Sequence, residues 1–159
     1  MDSERAAVYA AEAAALDGTD LEDVVGIDRV GAVVGSIVAG EWWPGPVVEV
    51  RAARSDARSS SARCGASSTI VRIAASQATL ATGLHELAHA LAGVEAGHGA
   101  RFRAALLDVV AVATNLDSTD RRRRLHVDQL AAAFRAAGLA VGVRSWPAPP
   151  AEITGAIAL

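Results

Sequence analysis

From Leu80 onwards the chain places Leu84, Leu87 and Leu91 at helical intervals, and the pattern ends at Gly93 and Gly97. That spacing lines the leucines up along one side of an α-helix, and glycine after the last of them is a common stop. Such a stripe has to be laid against a core. Projected around the axis, it lies roughly 150° from the midpoint of His85 and His89, so the helix has an apolar side and a histidine side. Ala78, Ala81, Thr82 and Ala92 flank the histidines, and small neighbours leave room for a cleft.

The rest of the chain surrounds this helix with elements of two periods. Residues 3–16 read as a helix with Ser3 as its N-cap, Ala6, Tyr9, Ala13 and Leu16 at helical spacing, and Gly18 as its stop. A second helix runs from about residue 28 to 41 on Val30, Val33, Val34, Ile37 and Val38, and the prolines of Trp42-Trp43-Pro44-Gly45-Pro46 end it. Val48, Val50 and Ala52 then alternate with Glu49 and Arg51, and Ile70–Ala74 reads as a second strand. The Ser-, Ala- and Arg-rich segment 54–68 between them predicts a flexible loop joining two antiparallel strands, unless it hides a hairpin. Helices over 100–115 and about 118–137 follow, with the stripes Phe102/Leu106/Val109/Ala113 and Val127/Leu130/Phe134. Residues 145–159, with Pro147, Pro149 and Pro150, read as an irregular tail.

Composition narrows the class. A chain of 159 residues suits one domain. Its apolar content is 52% but its aromatic content only 4%, which predicts closely packed alanine-rich helices. Every basic side chain is arginine, as a GC-rich genome would produce, and the net charge of −3 gives no general attraction to nucleic acid. The N-terminus lacks the pattern of a signal peptide, and the most apolar stretch, 24–40, is broken by Asp28 and Arg29. Cys64 has no second cysteine to pair with. A soluble, cytoplasmic monomer with no membrane contact is expected.

Three of the four histidines, His85, His89 and His98, fall within fourteen residues. His85 and His89 are ~40° apart around a helix and ~6 Å apart along it, so their imidazoles can converge on one ion. Zinc suits neutral imidazole nitrogens in tetrahedral geometry. His98, between Gly97 and Gly99, is the expected third ligand, because glycine lets the chain fold back to the histidine side. Asp108, on the next helix, is the competing choice. Three ligands leave one position for water, and Glu86 beside His85 is the expected base that takes the water's proton as it attacks a carbonyl.

Other features carry two readings each. The strand Val71-Arg72-Ile73 is either the edge on which an extended substrate lies or a core strand. The run Arg121-Arg122-Arg123-Arg124 reads as a solvated face before a contact for nucleic acid, which Arg121 and Arg124 would make. His126 reads as a packed histidine, Tyr9 as a core anchor, and Trp42 and Trp43 as a cover for the end of the second helix.

The runs His-Glu-Leu-Ala-His-Ala-Leu at 85–91 and Gly-His-Gly-x-x-Phe at 97–102 resemble the SprT-like zinc metallopeptidases. The chain is also similar to small metallohydrolases of actinobacteria and their phages, which often open with a segment like Arg5–Glu12. The resemblance covers residues 5–12 and 80–112. It implies His85, His89 and His98 as ligands of one zinc ion and Glu86 as the catalytic acid/base. The expected architecture is thus α+β: a zincin-like domain over 1–144 with a short antiparallel sheet, about five helices and the metal site on the helix carrying HELAH. The expected activity is that of a metallopeptidase acting on a protein or peptide. A zinc amidohydrolase acting on a small amide and a non-enzymatic module that binds protein or nucleic acid are the alternatives.

Overall fold

The leucine stripe goes where its spacing demands. In the computed structural model, which describes residues 2–115 and 123–150, the helix occupies Leu80–Ala92 and buries Leu84, Leu87 and Leu91. Thr79 starts it: its hydroxyl accepts the Thr82 N–H at 3.1 Å, satisfying one of the donors that the first turn leaves free. In chain order the helices are α1 (Arg5–Leu16), α2 (Ile27–Ala39), α3 (Leu80–Ala92), α4 (Ala100–Asn115) and α5 (Arg123–Ala136). The strands are β1 (Val48–Ala52), β2 (Ser61–Cys64) and β3 (Thr69–Ile73). The fold is α+β, with three strands and five helices among the described residues. Helix α3 packs between α4 and the sheet, α2 packs on β1 and α3, and α5 joins α4 to α1.

The sheet is mixed, which corrects the expected antiparallel pairing. Its order is β1-β3-β2, with β1 parallel to β3 in the register Val50↔Val71 and β2 antiparallel to β3 in the register Ala62↔Val71. The segment expected to be a flexible loop contains β2, so the chain crosses over, returns as β2 and then inserts β3 in the middle. Composition explains the order. A central strand is paired along both edges and suits β-branched apolar residues, as Ile70, Val71 and Ile73 supply. The sequence Ser-Ala-Arg-Cys of β2 tolerates the rim. Val71, Arg72 and Ile73 therefore cannot be a substrate edge, because both sides of β3 are already paired. Arg72 is half-buried within that central strand.

Helix α1 also turns a different face inward. Val8, Ala11, Ala15 and Leu16 are buried, while Tyr9 is 42% exposed. In a helix with so much alanine, small residues on every side give no direction, and one valine decides the rotation. Arg5, Tyr9 and Glu12 consequently lie along one flank of that buried face, beside Leu16. The helix begins after Glu4 with no side-chain cap, so Ser3 does not play the expected role.

Residues 139–147 form no helix or strand but are tied down as a strap along α4. The Gly142 N–H donates to Ala100 O, and the Trp42 indole donates to Pro147 O at 3.0 Å. Trp42 and Trp43 are partly buried against the core, as expected. Arg121 and Arg122 lie outside the described residues, as do the side chains of Arg123 and Arg124. No described helix is long and apolar enough to cross a membrane.

Candidate metal centre

His85 and His89 stand one turn apart on α3, and the chain then needs a sharp reversal to bring His98 back to them. Gly93 (φ 91°) and Gly97 (φ 54°) supply it in backbone conformations that residues with a Cβ rarely adopt. As a result His85, His89 and His98 each present a ring nitrogen to one point, with all three atoms within 4.8 Å of one another. The three histidines lie close enough to hold a metal ion. Phe102, at the start of α4, forms the floor beneath them, with ring centroids 4.9, 4.3 and 4.9 Å from His85, His89 and His98.

Carboxylates hold two of the rings from behind. The His85 Nδ1–H donates to Glu12 of α1 at 2.9 Å, and the His98 Nδ1–H donates to Asp2. Asp2 also accepts the His98 backbone N–H at 3.1 Å. Both Nε2 atoms are thereby left as lone-pair donors, and they lie 3.2 Å apart. A cation between them would satisfy both lone pairs at once. His89 Nδ1 is buried with no hydrogen-bond partner among the described residues. The donor set is neutral nitrogen throughout, and this fits zinc or a similar borderline transition metal.

Asp108 is excluded as the third ligand. Its buried carboxylate is gripped by Arg144, Nε at 2.6 Å and Nη2 at 2.8 Å, and it accepts the Trp146 indole N–H at 2.8 Å. His126 faces Asp20 at 3.4 Å and takes no part in the cluster.

Glu86 lies beside the cluster and outside the ligand set. Burial raises its carboxyl to about 7, with the Glu12 charge adding to the effect and His85 and the Ala62 N–H opposing it. Burial pulls the His85 imidazole down, but Glu12 outweighs it and leaves the ring above its ordinary value. Burial, followed by the neighbouring His85 and His98, drives His89 down to about 3, so its ring is neutral at ordinary pH. A cavity of about 390 Å³ opens from His85 and Glu86 towards α1, with Tyr9, Glu22, Ser60 and Gln77 on its walls. Ser60 is clasped there: its N–H donates to Gln77 Oε1 at 2.8 Å and its hydroxyl accepts the Ala74 N–H.

The sequence reading missed Tyr9, Glu12 and Asp2 at the site. Tyr9 is no core anchor: its ring stacks on His85 at 5.1 Å and 13° and leans over His98. Neither a family model, nor a curated protein, nor a solved structure matches the chain.

Proposed function

We propose that the chain is a zinc-dependent metallohydrolase, zincin-like and of the SprT-like type, acting as a peptidase. The observation that carries the reading is the convergence of His85, His89 and His98 beside a buried carboxyl, Glu86, that does not belong to the ligand set. When bound, zinc would supply Lewis acidity, polarising a carbonyl and acidifying water. Glu86, buried beside the histidines and outside the ligand set, is placed to take a proton from water and hand it on to a leaving amine. Tyr9 and Phe102 pack aromatic surface against the histidine rings from two sides.

A peptide substrate is favoured over a small amide by the edge of the sheet. β2 is one of the two edge strands, and the Ala62 N–H near its middle is close enough to influence Glu86. An extended peptide added to that edge would run past the acid/base. A non-enzymatic binding role gives no reason for a raised carboxyl beside three converging imidazoles. The test is to purify the chain without chelator, measure its metal content, and follow cleavage of an unfolded protein with and without chelator. One zinc per chain and chelator-sensitive cleavage are expected. A chain that takes up no zinc from solution sinks the proposal, and one that binds zinc but cleaves only small amides moves the substrate.

A further inference from the structure

A histidine can ligate a metal only through a nitrogen that carries a lone pair, and which nitrogen that is depends on what holds the other one. Glu12 and Asp2 make that choice for two of the three rings here. They are 73 and 96 residues away in sequence from the histidines they hold. Glu12 meets His85 Nδ1 with both of its oxygens, at 3.0 and 2.9 Å, which fixes the ring's rotation as well as its tautomer. Asp2 grips the His98 ring and its backbone N–H together, so it fixes the loop as well as the side chain.

We propose that Asp2 and Glu12 are positioning residues of the metal centre, so that the N-terminal segment is a working part of the site that the α3 motif begins. The inference rests on the metal-binding reading above. It has an electrostatic side. Three neutral imidazoles would leave a divalent ion with both charges uncompensated in a buried place, and burying bare charge is costly. Two carboxylates one ring away balance it through the imidazoles without occupying a ligand position. Partners of this kind orient the ring and make its free nitrogen more basic, and their loss weakens metal binding by about 10–100-fold. Among the described residues, no carboxylate holds the His89 ring in this way.

The test is a zinc titration by competition with a chromophoric chelator, repeated with cobalt(II), whose visible absorption reports the ligand geometry. It compares the unaltered chain with Asp2→Asn, Glu12→Gln and, as a control, Glu22→Gln. Glu22 lines the same cavity but contacts no ligand histidine. Asp2→Asn and Glu12→Gln are each expected to weaken zinc by about 10–100-fold and to alter the cobalt band, while Glu22→Gln stays within about twofold. Thermal unfolding of the metal-free forms separates positioning from simple stabilisation. Weakened zinc with an unchanged metal-free midpoint supports the proposal, and affinity that falls only in step with metal-free stability overturns it. Affinities within about twofold of the unaltered chain for both variants also overturn it, with the zinc site itself intact. An unaltered chain that binds no zinc overturns both readings. If Glu12→Gln does not fold, Asp2→Asn decides alone, because Asp2 lies outside the helices and is part-exposed.

Discussion

Helices α3 and α1 meet at the same histidines but contribute in opposite ways. Helix α3 is buried almost throughout and carries two of the clustered histidines and Glu86, the proposed acid/base, within five residues, His85 to His89. Helix α1 buries only Val8, Ala11, Ala15 and Leu16, and offers the site Glu12 and Tyr9 from the flank of that face. The first helix brings the groups that would touch an ion or water. The second brings groups that touch those groups. A short motif can encode the reacting atoms of a site, while the parts that aim them come from distant and unmarked sequence.

The sharpest way to break this contrast is Glu86→Gln. It is expected to lower hydrolysis by about 10²–10⁴-fold while zinc stays bound, and an unchanged rate in a peptidase assay would move the chemistry off α3. A smaller effect separates the helices by packing. Leu87→Ala and Leu16→Ala each remove a fully buried leucine and are expected to cost about 2–5 kcal/mol, with Leu87 at the upper end because α3 is enclosed on more sides. Urea unfolding measures both, and a larger loss at Leu16 would reverse the ranking. Next comes the metal: zinc at about 100 times its dissociation constant should stabilise the chain by about 2.7 kcal/mol, and chelator should reverse the gain. A thermal midpoint indifferent to zinc contradicts this. The smallest effect is expected from Tyr9→Phe, which keeps the ring on His85 and should change stability by less than about 0.5 kcal/mol. If that variant loses hydrolysis while keeping zinc and fold, α1 contributes chemistry as well as aim.

Legibility followed the range of the interactions. The α4 bounds, 100 and 115, were readable because stripe and stop are local signals. So was the convergence of His85, His89 and His98, because helix geometry and two glycines fix it within fourteen residues. The partner of β1 was not readable, since alternation says which face is buried and nothing about which strand lies alongside. β2 was invisible because Ser61-Ala62-Arg63-Cys64 has no apolar alternation, and pairing with β3 alone makes it a strand. The rotation of α1 failed for a related reason, with alanine on every side. Asp2 had no signal, and Glu12 stood only within the matched segment 5–12 with no role attached, because a lone carboxylate gains meaning only from the ring it faces.

Arg103 ties several of these segments together. It is 2% exposed and donates to the His98 carbonyl at 2.8 Å and the Ala140 carbonyl at 2.7 Å, with Glu4 3.1 Å away. The lead-in to α1, the turn carrying His98 and the strap after α5 are therefore moored to one guanidinium. Tension on any of the three is transmitted to the others. His85 and His89 are anchored in a helix that opens only when the core does, whereas His98 hangs from a mooring with three lines. A shift of residues 139–147 would therefore be felt at the His98 backbone, forty residues away in sequence, through a single side chain.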